Sequence, residues 1–261
     1  MTEDASWAWK QWHEQRVESV SAPYGPLALT GTHWLEDLPE GRIPDTPGVW
    51  RPDGDAVVLS AGAADGLTVD GEPFAGQVRL GADSGPAGAA RVASGERRLV
   101  VLEREGSWGV RPFDPDSEAR REFRGIEATP YDPRWSVPGR FTPYDRRRTV
   151  RVANVDGRER GLGLGGELAF VLAGHELTLQ VSVESDGSLW AVFADATSGN
   201  GSYRFRFLRP AAPDAQGRTT VDFNRTLLPP CAFADHFICP FPPPGNRLGV
   251  AIPAGERDVA V

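Results

Sequence analysis

Glycine and proline recur too often along this chain for long helices to be its main structure. The sequence carries 30 glycines and 23 prolines among 261 residues. Glycine weakens a helix through its conformational entropy, and proline through its missing donor and fixed φ. A helical bundle is thereby excluded, and short strands joined by tight turns are expected instead. The 8 Trp, 12 Phe and 4 Tyr supply enough apolar bulk for a packed core, which excludes disorder.

Charge restricts the partners. Against 36 acidic side chains stand 28 basic ones, for a net charge of −8. No surplus exists to neutralise phosphates, so nucleic acid is excluded as a partner. No apolar run reaches the roughly 18 residues of a membrane span, so no membrane partner is expected. The opening MTEDASWAWKQWHEQRVESV is charged throughout and lacks the apolar stretch of a signal peptide. The expected location is therefore the cytoplasm. Oligomeric state is not legible.

One helix is expected, over residues 4–20, with Trp9, Trp12, Arg16 and Val20 on one stripe. The tryptophans would dock it on a sheet, and Arg16 could lay its aliphatic stem along apolar surface. From Val49 to Val110, short apolar runs alternate with Gly, Asp and Pro turns about every ten residues. Asp70-Gly71 is the strongest tight-turn signal among them. Residues 112–147, dense in Arg, Asp and Pro, read as a crossing segment anchored by aromatics. A second β series follows, with Leu168, Phe170 and Leu172 on one face and Leu177, Leu179, Val181 and Val183 on another. Strands are also expected over 203–208 and 219–223. The proline-rich stretch from Pro229 to Pro244 cannot sustain a ladder and must wrap the sheet as irregular chain.

The expected fold is thus mainly β: an N-terminal helix followed by two packed antiparallel units of sandwich or barrel type. Its segments are 1–48 (helix and arm), 49–135 (first β unit and crossing segment) and 136–261 (second β unit with the wrap).

Three polar clusters fall at strand ends, and the chain has only four asparagines with which to build them. The first runs from Asp195 through Thr197 and Ser198 to Ser202. The second is Asp222-Phe223-Asn224-Arg225, and the third contains Asn246-Arg247. Arginine offers a fork to carboxylate or phosphate, and asparagine both donates and accepts. The same residues would serve equally to tie Asp195 to an arginine and to fasten the wrap. Cys231 and Cys239 flank His236 at a spacing that matches no structural zinc site, so no metal is expected. Paired buried thiols, a disulfide and a Cys–His nucleophile remain open. His33, beside Trp34, is the better placed of the isolated histidines. No nucleophile elbow, P-loop or dinucleotide fingerprint occurs, and no cofactor is expected.

Several of these motifs resemble a known family. Asp195-Ala196-Thr197-Ser198-Gly199, Asp222-Phe223-Asn224-Arg225, Pro229-Pro230-Cys231-Ala232-Phe233 and Asn246-Arg247-Leu248 are similar to the bacterial domain of unknown function 1684. So are Cys239-Pro240 with Pro242-Pro243-Pro244, Ala254-Gly255-Glu256, Gly25-Pro26-Leu27 with His33-Trp34-Leu35, and Arg147-Arg148-Thr149-Val150. The resemblance extends over nearly the whole chain and is densest at the C-terminus. It implies no activity, because the family has no agreed one. It does imply that Cys231 and Cys239 belong to the family pattern and that His236 does not.

Three functional readings follow. The first is a cofactor-independent enzyme acting on a small organic molecule, with Asp195 as acid/base, Asn224 and Arg225 orienting the substrate, and Ser198 assisting. Thr197, Asn246, Arg247, His33, Cys231 and Cys239 would line its ligand site. The second is a non-catalytic module of β-barrel type that binds a small ligand or a partner. In the third, the C-terminal block is only a folding lock.

Overall fold

The computed structural model describes residues 2–261, with side chains from Asp4 onward. The chain is mainly β and divides into two compact units. One is Glu18–Phe123; the other joins the helical segment up to Val17 to Arg124–Val261.

In the unit Glu18–Phe123, closely spaced turns keep every strand to eight residues or fewer. A six-stranded antiparallel sheet runs in the order His33–Trp34, Ser107–Phe113, Arg97–Arg104, Val92–Ser94, Leu67–Val69, Glu72–Pro73. A separate sheet orders Val49–Asp53, Ala56–Ala61 and Gly76–Leu80. Trp50, Leu59, Leu67, Leu80, Leu99 and Val110 form the core between them. At the Asp70-Gly71 turn both φ angles are positive, 53° and 86°, and Val69 pairs with Glu72. That is the two-residue hairpin that the dipeptide favours.

In the other unit, period-two alternation builds one larger antiparallel sheet. Its order is Arg206–Leu208, Leu189–Phe193, His175–Val183, Glu159–Leu172, Ser136–Ala153, Arg218–Asp222. Leu168, Leu179, Val181, Leu189, Phe193 and Val221 turn inward and are fully buried, with Phe170 and Leu172 beside them. The sheet curls into a half-barrel, open at its seam.

Ser136–Ala153 corrects the sequence reading, which took residues up to 147 as a crossing segment. Its prolines stand where the strand has a neighbour on one side only. Pro138 pairs with Thr220 alone and Pro143 with Gly166 alone, so neither missing donor breaks an inner ladder. Residues 144–147 then bulge opposite Gly165 before pairing resumes at Arg148. The strand expected over 203–208 is shortened to Arg206–Leu208.

The helix spans Thr2–Ser21. Trp9 is buried, and its indole N–H donates to the Asn224 carbonyl at 2.7 Å. Arg16 does more than cover apolar surface. Its Nε donates to buried Glu256 at 3.0 Å and its Nη2 to the Leu228 carbonyl at 3.1 Å. The other Glu256 oxygen accepts from the Leu228 N–H at 2.7 Å. The strand Glu256–Ala260 pairs with Gly125–Ala128. Among the described residues no helix is long and apolar enough to cross a membrane.

The proline-rich segment is irregular apart from one turn of 3-10 helix at Pro230–Ala232. It is fastened to the end of Ser136–Ala153, where Val155 donates to the Cys239 carbonyl and Phe241 to that of Ala153.

Candidate functional site

The residues nominated from sequence separate into a buried framework and a partly open cleft. Asp195 belongs to the framework. It follows strand Leu189–Phe193, and its side chain is wholly excluded from solvent, as is that of Arg206. Arg206 Nη2 donates to Asp195 Oδ2 at 2.7 Å and to the Ile252 carbonyl at 2.6 Å. Nη1 donates to the carbonyls of Ala254 and Glu256. Asp195 Oδ1 accepts from the Thr197 N–H, the Thr197 hydroxyl and the Ile252 N–H. Burial pulls the Arg206 guanidinium below its ordinary value, and the Asp195 carboxylate pushes it back up.

Thr197 and Ser198 complete that turn. The Ser198 hydroxyl accepts from the Asp195 N–H at 3.0 Å, and the Thr197 and Ser202 hydroxyls lie 2.8 Å apart. Sequence reasoning missed Arg206, because an arginine on an alternating strand reads as a solvent-facing residue.

Asn224 and Asn246 do the same job at two places. The Asn224 side chain accepts from the Asp132 N–H at 2.9 Å and donates to the Asp132 carbonyl at 3.0 Å. Asn246 treats Gln180 likewise, at 2.8 Å in each direction, and adds a bond to the Val192 carbonyl. Both are fully buried. Each amide stands in for a missing backbone strand, which satisfies groups that the irregular chain would otherwise orphan. Gly255 permits the close passage beside them. A Cβ there would lie 2.6 Å from Thr226 Cβ and 2.7 Å from the Phe223 carbonyl oxygen, and φ is +78°.

The cleft lies at the seam of the half-barrel, with a volume of about 480 Å³. One wall is Leu208-Arg209-Pro210-Ala211, just past one edge strand. The other is formed by Thr220, Asp222 and Arg225 at the opposite edge, with Ser136, Tyr131 and Ala5 completing it. The Thr219 hydroxyl donates across the seam to the Ala211 carbonyl at 2.9 Å. Asp222 Oδ1 holds the Asn224 N–H and Nδ2, while Oδ2 receives Arg225 Nη1 at 2.8 Å. The Arg225 side chain remains 40% exposed and faces the Trp12 ring at 6.0 Å. Arg209 is exposed, lies 6.0 Å from the Trp190 ring, and makes no hydrogen bond among the described residues.

Of the residues given a catalytic or ligand-binding role from sequence, Arg225 alone lines this cleft, with Asp222 of the same cluster beside it. Arg247 is exposed beside the Ala194 bridge, and the two cysteines sit in a separate apolar cluster. His33 belongs to the unit Glu18–Phe123, on the strand that faces Ser107–Phe113. Among the described residues no group of three or more His, Cys, Asp or Glu could hold a metal ion.

The framework contacts all fall within a segment that matches a family model. Residues 121–257, more than half of the chain, match the protein of unknown function DUF1684. The chain belongs to the DUF1684 family. The match is confined to the C-terminal part, so the likeness read at Gly25–Leu27 and His33–Leu35 lies outside it. Within the DUF1684 segment fall Asp195, Arg206, Asn224, Arg225, Cys231, Cys239 and Asn246. The chain is also similar to an uncharacterized protein of Haloarcula marismortui solved by NMR in solution. The two are 32% identical over 53% of this chain and 78% of that one, with a TM-score of 0.44. No curated protein matches.

Proposed function

We propose that the C-terminal unit is a binding module for a small anionic organic molecule, received in the seam cleft. The observation that carries this reading is the convergence of Arg209 and Arg225 on one cleft of about 480 Å³. That size lies within the range of roughly 300–1,000 Å³ typical of small-molecule sites. Guanidinium forks suit a carboxylate or phosphate, while the Tyr131, Ser136 and Thr220 hydroxyls can orient oxygen atoms. Binding is preferred over catalysis because the nominated acid/base, Asp195, has both oxygens bonded and no exposure. The carboxylate that does reach the cleft, Asp222, is occupied by Asn224 and Arg225.

The test is thermal unfolding and calorimetric titration with inorganic phosphate, monocarboxylates and dicarboxylates, on the wild type and on Arg209→Ala and Arg225→Ala. Saturable stabilisation that both substitutions weaken is the expected result. Stabilisation by none of these anions, or stabilisation that survives both substitutions, overturns the proposal.

A further inference from the structure

The seam of the half-barrel presents backbone as well as side chains. Along Arg206–Leu208 and the residues that continue it, successive residues turn their backbone polar groups to opposite sides. The Pro210 carbonyl accepts from the Leu189 N–H at 2.9 Å, toward the neighbouring strand. Phe207 exchanges both its bonds with Leu227, at 2.8 Å each, on the other side. Arg209 shares the parity of Phe207, so its N–H and C=O face the seam. At the opposite edge, the Phe141 N–H donates to the Gly217 carbonyl, and the register continues through Gly139 and Thr219. Thr219 and Val221 therefore turn toward Ser136–Ala153, and Thr220 turns to the seam. Neither the Arg209 nor the Thr220 backbone has a hydrogen-bond partner among the described residues.

The opening between these edges is closed at both ends. The Thr219 hydroxyl meets the Ala211 carbonyl at one, and the Phe207–Leu227 pair bridges the other. Leu208, Arg209 and Pro210 span the interval, roughly 10 Å at about 3.3 Å per residue. Arg225 gives only Nη1 to Asp222, which leaves the rest of its fork for a ligand.

We propose that the ligand of this cleft is a peptide of two or three residues with a free C-terminal carboxylate, a choice that rests on the anion-binding reading above. Unpaired N–H and C=O groups on a strand edge pair with extended backbone, which brings a donor and an acceptor at each residue. A peptide laid along the seam gives Arg209 and Thr220 those partners, and its carboxylate meets the guanidiniums of Arg209 and Arg225. A dicarboxylate answers the guanidiniums but brings no N–H to the Arg209 and Thr220 carbonyls. The closed ends set the length, because a longer strand would run into the Thr219–Ala211 contact or into Leu227.

The experiment titrates the full-length, nitrogen-15-labelled protein with two mixed-sequence libraries of di- and tripeptides, and separately with succinate. One library carries free C-terminal carboxylates and the other is amidated. The tightest free-acid member, resynthesised, is expected to bind at least tenfold more tightly than its amide and than succinate. It should also slow hydrogen exchange at the Arg209 and Thr220 amides. Thr220→Pro removes a donor on the open side of an edge strand, where proline is tolerated. It should bind that peptide about fivefold more weakly than Thr220→Val, which keeps the N–H. N-methylation of the peptide tests the same bonds without touching the fold and should weaken binding to a similar degree. Succinate binding without peptide binding overturns this inference and leaves the anion reading standing. Peptides that bind no better than their amides, or that leave both amides exchanging as in the free protein, overturn it as well. Binding by neither peptides nor succinate overturns both readings.

Discussion

Arg206 and Asp195 form an ion pair at 2.7 Å with neither side chain exposed to solvent. The pair closes a network in which Arg206 grips the carbonyls of Ile252, Ala254 and Glu256, while Asp195 takes the Ile252 N–H. It fastens strands Leu189–Phe193 and Arg206–Leu208 to the last segment of the chain.

Asp195→Asn should therefore act on stability. It leaves a buried guanidinium without its countercharge, a change that costs about 3–5 kcal/mol. Adding Arg206→Met to the same protein should recover part of the loss, because the uncompensated charge is removed. Urea unfolding of the two variants measures this, and a double variant no more stable than Asp195→Asn would contradict it.

Asn246→Ala orphans the Gln180 N–H and the carbonyls of Gln180 and Val192. Each buried group left unsatisfied costs about 1–3 kcal/mol, so the midpoint should fall sharply. Asn224→Ala should behave alike through Asp132 and Asp222. Amide exchange at Gln180, speeded in Asn246→Ala but not in Asn224→Ala, would separate the two effects.

Arg225→Ala should be far milder. Its ion pair with Asp222 is partly solvated, and such pairs contribute about 0–1 kcal/mol. Thermal unfolding near the wild-type midpoint, with anion stabilisation weakened, is the expected signature. A collapse of the fold would move Arg225 from the cleft to the framework.

Glu256 supplies a pH dependence. Burial raises its carboxyl above the ordinary value, although Arg16 and the Leu228 N–H oppose that. The native state then binds the proton more tightly than the unfolded chain does. Its contribution is fully present below the unfolded carboxylate range and declines as pH rises through the raised native value. Glu256→Gln should flatten the stability–pH profile on the alkaline side of the ordinary glutamate range. An unchanged slope there, measured by denaturant titration at several pH values, would refute the assignment.

How much of this was legible follows from what each residue needs. Alternation at Leu168, Phe170 and Leu172, and the Asp70-Gly71 turn, are local patterns, and both are present in the fold. The scarcity of asparagine drew attention to Asn224 and Asn246, yet the bonds they make are to Asp132 and Gln180, tens of residues away. Arg206 went unseen because nothing local separates a buried arginine from an exposed one on the same strand. The cleft arises only when the sheet curls and brings Arg209 near Arg225. Ser136–Ala153 was missed up to residue 147 because Pro138 and Pro143 look disruptive until their one-sided pairing is seen.

The bond from Arg16 to Glu256 spans 240 residues of sequence. Synthesis at about 5–20 residues per second separates the two by roughly 12–48 seconds. Throughout that delay Trp9 lacks the Asn224 carbonyl and Arg16 lacks its carboxylate, so the helix waits unanchored on the nascent chain. Residues Glu18–Phe123 emerge complete within the same interval. The helix is therefore made long before the chain that anchors it, and it settles only after residues Asn224 to Glu256 have emerged.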